Sequence, residues 1–270
     1  MTGSAKQKRL VHRPHLARFA AIVVAVAAIS GAIVVLVASP WDRGGTPARP
    51  KAVIVDQLAF SDPNPDFAAK AARALEAAGY IVDYYPNSAV TVEFYRDLPS
   101  LGYSFVLLRS HSTQFLFRAD DANSSRQVAD NSVMLFTTEP YSAFAHLEDQ
   151  RARRLAVGSY PDRPAAGQYF LINPTFVESS MRGRFHDATI VLMGCGGLST
   201  PDLAKAFQRR GAKDFISWDT DVTAAHTDAA TQALLTHLVS ESLPPTEAVA
   251  KTMAEVGPDP SYGSRLLAFP

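Results

Sequence analysis

Thr189-Ile-Val-Leu-Met-Gly-Cys-Gly-Gly197 decides how this chain folds, together with its counterpart Ser104-Phe-Val-Leu-Leu-Arg-Ser-His-Ser112. Each is a short, unbroken apolar run that stops at small and chemically capable residues. Such runs read as strands buried on both faces, the kind found in parallel sheets. Working outward from them, Ala52 to Val55, Tyr80 to Tyr84 and Phe215 to Trp218 read the same way. Helical periodicity fills the spaces between. It places helices over Phe67 to Ala78, stopped by Gly79, over Val92 to Leu98, Phe176 to Arg184 and Asp202 to Arg210, near Asp228 to Ser240, and over Thr246 to Glu255. Strands alternating with helices predict an α/β domain over 51–270, a mostly parallel sheet flanked by helices.

Residues of about 113–175 break that alternation. Phe115 to Phe117, Val133 to Thr137, Leu155 to Val157 and Tyr169 to Ile172 read as short strands of a hairpin-rich insertion.

The start of the chain has a different character. Phe19 to Ala38 holds twenty residues without a charge. As a helix it spans about 30 Å, the thickness of a bilayer's hydrocarbon core. A buried helix of a soluble domain would show a polar face, and Ser30 is the sole polar side chain in the run. A cleaved signal peptide is the alternative, but its apolar region usually runs roughly 7 to 15 residues. The nearest small-x-small site, Val37-Ala38-Ser39, is also followed by Pro40. An uncleaved anchor over 19–38 is the expectation, between a basic tail over 1–18 and a Gly- and Pro-rich linker over 39–50. Lys6, Lys8, Arg9, Arg13 and Arg18 before the helix outnumber Arg43, Arg49 and Lys51 after it. That bias predicts a single-pass membrane protein with a cytoplasmic N-terminus and an extracytoplasmic domain.

Composition narrows the function classes. With 26 basic and 26 acidic side chains the formal net charge is zero, so nucleic acid is not an expected partner. The single cysteine, Cys195, excludes a disulfide within the chain and a thiolate-rich metal site. No His or acidic cluster has metal-ligand spacing. Neither metal nor cofactor is expected.

In open α/β sheets, ligands bind at the rim formed by the carboxyl ends of the strands. That rim carries Asp56, Arg109-Ser-His111-Ser112, Gly194-Cys195-Gly196-Gly197 and Asp219-Thr-Asp221. A thiol beside an imidazole can lose its proton and become a nucleophile. Glycines next to the cysteine would let backbone N–H groups approach a developing oxyanion. Taken singly, Cys195 reads as a small buried hydrophobe and His111 as a hydrogen-bonded structural residue. Together at one rim they suit acyl transfer through a thioester. Asp56, Asp219 and Asp221 either cap the following turns or line a pocket for a basic side chain. Arg109 would instead bind an acidic group, and Trp218 reads as core or pocket wall.

Leu107-Leu-Arg-Ser-His-Ser112, and later Ile190-Val-Leu-Met-Gly-Cys-Gly-Gly197, resemble the caspase-like (clan CD) cysteine peptidases, which include legumains, gingipains, separases and CHAT domains. In that group one hydrophobic strand ends in His-Gly and a later one in the nucleophilic Cys. Leu203 to Ala212 and Phe215 to Trp218 are similar to the helix and strand beyond the nucleophile, and the likeness spans roughly 51–243. The resemblance implies Cys195 as nucleophile and His111 as general acid/base. Backbone N–H groups at Cys195 and around Ser112, Gly194 and Gly196 would bind the oxyanion, and the substrate would be a peptide or protein. Ser112 stands where the family usually has Gly, and His111 and Cys195 are 84 positions apart, a long interval that the insertion would account for. The other readings are a non-catalytic extracytoplasmic binding or sensing domain of the same fold, and an α/β-hydrolase or tyrosine-phosphatase-like enzyme. The last fits worst: Pro201 stands where a phosphatase needs Arg, and Met193 breaks the Gly-x-nucleophile-x-Gly elbow.

Overall fold

The computed structural model describes residues 49–114, 132–160 and 166–270. The anchor over 19–38, its basic tail, nearly all of the linker and the strand over 115–117 lie outside them. Among the described residues, no helix is long and apolar enough to cross a membrane.

Five parallel strands make up all but one edge of a six-stranded sheet. They are β1 (Lys51–Asp56), β2 (Ile81–Pro86), β3 (Phe105–Arg109), β8 (Ala188–Leu192) and β9 (Ala212–Trp218). The sheet runs in the order β10-β9-β8-β3-β1-β2, where β10 (Leu266–Phe269) pairs antiparallel with β9. Strand periodicity divides the strand side chains between two cores. Val53, Val55, Val106, Leu108, Ile190 and Leu192 face one core, closed by α2 (Val92–Asp97), α4 (Pro174–Ser179) and α5 (Asp202–Arg209). Ala52, Ile54, Phe105, Leu107, Val191 and Trp218 face the other, closed by α1 (Pro65–Ala77), α6 (Ala224–Leu235) and α7 (Pro245–Val256). Each fully buried aliphatic side chain contributes about 1.5–3 kcal/mol, which is why the central strands β1, β3 and β8 are apolar runs without polar alternation.

The insertion forms a second, antiparallel sheet in the order β4-β5-β7-β6. Its strands are β4 (Ser112–Gln114), β5 (Val133–Pro140), β6 (Leu155–Gly158) and β7 (Tyr169–Ile172). One face, with Val133, Leu135, Phe170 and Ile172, joins the first core; the other carries Met134, Phe136, Tyr160, Tyr169 and Leu171. A short helix, α3 (Leu147–Arg151), precedes β6.

Several boundaries differ from the sequence reading, each for a local reason. Helix α1 starts two residues earlier because the Asn64 side chain caps Phe67 N–H and Pro65 occupies the first turn. Helix α4 ends at Ser179, short of Arg184. The N–H groups of Ser180 and Met181 both turn to Phe176 O, Arg182 N–H goes to Arg96 O, and Gly183 is left-handed at φ 71°. Helix α6 begins at Ala224, capped by Thr223, and runs into a π-helical turn, Thr236–Ser240. The short elements α3 and β10 have no signal in the sequence pattern. His146 and His237, which have no evident partners in the sequence, are paired: His146 with Glu139 at 2.7 Å, His237 with Glu241 and Glu255 at 3.1 Å each.

Candidate active site

Strands β3 and β8 are hydrogen-bonded neighbours, with Leu108 opposite Leu192. His111 and Cys195 each follow three residues beyond that rung, so both chains deliver them at one level of the rim. Both line a cleft of about 880 Å³ between the rim and the second sheet. Strand β4, Phe136 and the end of β6 through Tyr160 form one side; Ser199, Thr220, Asp221 and Tyr262 contribute to the other.

His111 is held at several points. Its N–H donates to Gln57 Oε1 at 2.9 Å, and its Nε2 lies 2.9 Å from Ser61 Oγ. Its ring packs 5.2 Å from Tyr160 and 6.0 Å from Phe136, centroid to centroid. Cys195 is half-buried, and its thiol donates to Val222 O at 3.6 Å. Burial pushes the Cys195 thiol above its ordinary pKa, and the carboxylates of Asp221 and Asp259 add to that by disfavouring a second negative charge. In this conformation the sulfur is therefore a thiol engaged with the Val222 carbonyl, while the imidazole is engaged with Ser61.

The cleft's far wall is braced by Asp259, which is almost wholly buried and receives the N–H and hydroxyl of Thr223 and the N–H groups of Ser261 and Tyr262. Burial alone would raise its pKa, but those hydrogen bonds outweigh it and hold the carboxyl below its usual value.

The glycines around Cys195 serve packing. A Cβ on Gly194 would stand well inside 3.0 Å of Ser112 Oγ and of Ser110 O, and one on Gly197 would do the same against Ser217 Oγ. Ser112 donates its hydroxyl to Cys195 O at 2.7 Å, tying the histidine loop to the cysteine loop. Gly196, expected as an oxyanion donor, is corrected: its N–H is taken by Thr220 O at 2.8 Å. No backbone carbonyl among the described residues accepts the N–H of Cys195.

Four of the pocket candidates are corrected, and two of them take the alternative role expected of them: Asp56 caps the turn after β1, accepting the Ala59 N–H, and Trp218 is core. Arg109 and Asp56 do not face a substrate pocket; they are 0% and 1% exposed. Arg109 Nη1 bonds Asp56 at 2.9 Å, and its Nε and Nη2 grip Asp228 at 2.8 and 2.9 Å. Nη2 also reaches Asp62 O at 3.0 Å. Burial would depress the guanidinium pKa, but Asp228 and Asp56 outweigh it and hold it above its ordinary value. Tyr84, which donates to Asp56 at 3.0 Å, is pushed up to about 12 by burial and by that carboxylate. Trp218 is fully buried and donates to Thr227 at 2.9 Å. Asp219 accepts the N–H of Arg265 at 2.8 Å, holding the approach to β10. Of the acidic candidates, Asp221 alone lines the cleft, and it is exposed.

Sequence reasoning missed Gln57, Ser61, Tyr160 and Tyr262. Ser61 and Gln57 sit in the β1–α1 turn, where a polar residue is unremarkable. Tyr160 and Tyr262 lie in loops with no periodicity to mark them.

No family model matches the chain, and no curated protein matches it. Among solved structures it is similar to the crystal structure of the Arg-specific cysteine proteinase gingipain R, at 14% identity and a TM-score of 0.42. The alignment covers 77% of this chain and 42% of that one, so the chain spans less than half of that protein's length.

Proposed function

We propose that the chain is a membrane-anchored, caspase-like cysteine peptidase, or a related hydrolase, using His111 and Cys195. The observation that carries this reading is the shared cleft: two residues 84 positions apart, each three beyond one β3–β8 rung, line the same space. The reaction needs rotation of the Cys195 side chain off Val222 O. His111 takes the thiol proton, the sulfur adds to a substrate carbonyl, and the oxyanion is met by the N–H of Cys195. Returning the proton to the leaving amine gives a thioester, and water, deprotonated by His111, releases the acid and restores the thiol. Asp221 in the cleft wall selects a basic substrate side chain, whose charge would offset that carboxylate's field on Cys195.

The test is covalent. A peptidyl acyloxymethyl ketone with arginine beside the ketone should modify Cys195 of the detergent-solubilised full chain at pH 7. Replacing His111 by alanine should slow it by about 100-fold or more, the scale of general-base catalysis. Plain iodoacetamide should react fast only above the ordinary thiol pKa of about 8.5, because the raised thiol stays protonated at neutral pH. Adduct formation indifferent to His111 would sink the reading. The thiol's engagement with Val222 O and its raised pKa favour a second reading, a binding domain with an inert pair. Peptide binding without an adduct is its expected result.

The anchor is part of the same proposal. Alkaline carbonate should leave the full chain in the membrane pellet, and deleting 19–38 should release it to the supernatant. Release of the full chain would overturn the anchor.

A further inference from the structure

We propose that Gln57 is a positioning residue for His111, locking the histidine's main chain to the second sheet through Tyr160. The inference rests on the His111–Cys195 reading above but deepens it at a residue 54 positions from His111.

Gln57 is fully buried in the 3-10 turn Gln57–Phe60 that follows β1. Its amide is used at both ends. Oε1 accepts the His111 N–H at 2.9 Å and lies 3.5 Å from the Ser110 hydroxyl, while Nε2 donates to the Tyr160 hydroxyl. Tyr160 in turn stacks on Phe136 at 5.0 Å and lies 5.2 Å from the His111 ring. The turn itself is fixed because Asp56, held by Arg109, accepts the Ala59 N–H at 3.0 Å. Gln57 is thus the point where the rim of the six-stranded sheet and the aromatic wall of the cleft meet at the histidine. A buried amide with both ends satisfied has one orientation here, since turning it sets Nε2 against the His111 N–H, donor against donor. An error of about 1 Å in the placement of a catalytic base can cost on the order of 100-fold in rate, so a rigid main-chain anchor at this residue governs reactivity without touching substrate.

The test uses the full chain in detergent with ¹³C,¹⁵N-labelled histidine, where His111 is assigned among the seven histidines by its loss in His111→Ala. Gln57→Leu should shift the His111 ring signals, which sense the Tyr160 and Phe136 ring currents. It should lower the maximal inactivation rate by the peptidyl ketone about 10-fold or more, with its affinity term unchanged. Gln57→Glu should restore both readouts toward the parent, because a carboxylate still accepts from the His111 N–H, and the Tyr160 hydroxyl, which accepts from Nε2 in the parent, can turn from Thr137 O to donate to it. Leu75→Ala, in the core on the opposite face of the sheet, should lower the melting temperature and leave the His111 signals in place. Unmoved His111 signals in Gln57→Leu, or the same displacement in Leu75→Ala, would overturn the proposal. Labelling of the parent that ignores His111 overturns the peptidase reading instead, and the ring signals still decide the role of Gln57.

Discussion

Replacing Arg109 with methionine should lower the stability of the domain by about 3–5 kcal/mol, the scale for removing one partner of a buried ion pair. Arg109 satisfies three elements at once: Asp56 at the end of β1, Asp228 in α6 and Asp62 O in the turn before α1. Methionine fills similar volume, so the loss comes from charge rather than from a cavity. It leaves Asp56 and Asp228, 1% and 6% exposed, without their cation. Adding Asp228→Asn to Arg109→Met should recover part of the loss, because a buried neutral amide costs less than an unpaired carboxylate. The midpoint of urea denaturation at neutral pH measures both. A loss under about 1 kcal/mol, within the range of an exposed ion pair, would show that the network does not pin these three elements.

Gly194→Ala is the second large effect, expected to cost about 1–3 kcal/mol and to disturb the site as well. The added methyl would press on Ser112 Oγ and on the Ser110 carbonyl, which is backbone and cannot rotate away. The β3–β8 rung from Leu108 to Leu192 stands just behind, so the two loops can part only by breaking the Ser112–Cys195 hydrogen bond. Combining the change with Ser112→Gly removes the hydroxyl clash and leaves the carbonyl clash, so rescue should be partial. Gly79→Ala gives the contrasting case. Nothing lies within 4 Å of a Cβ there, and the cost is only that of a left-handed φ of 94°, about 1–2 kcal/mol. Thermal denaturation ranks the two, and peptidyl-ketone labelling of Cys195 should slow in Gly194→Ala alone. Equal behaviour of the two variants would show that close packing around Cys195 is not what Gly194 provides.

The sequence made the strands and their rim legible, and with them His111 and Cys195, because a buried strand records itself as a local apolar run and its end as the first residues that break it. Val106 to Leu108 and Ile190 to Leu192 needed no partner to be read. The rest of the site was hidden because its meaning is not local. Asp56, Arg109 and Asp221 follow strands in much the same way, yet the first two neutralise each other in the core and the third meets the cleft.

What the sequence determined by itself was the α/β layering and the delivery of a histidine and a cysteine to one edge, since periodicity and glycine or proline stops act within a few residues. What only the tertiary structure decided was the state of that edge. The thiol bonds Val222 O, 27 positions away; Ser112 ties to Cys195 O across 83; Arg109 spends its donors on Asp228 across 119. Partners so distant in the chain are set by the packing of elements around the sheet; burial and the carboxylates of Asp221 and Asp259 hold the Cys195 thiol above its ordinary pKa, and the carboxylates of Asp56 and Asp228 make Arg109 a brace.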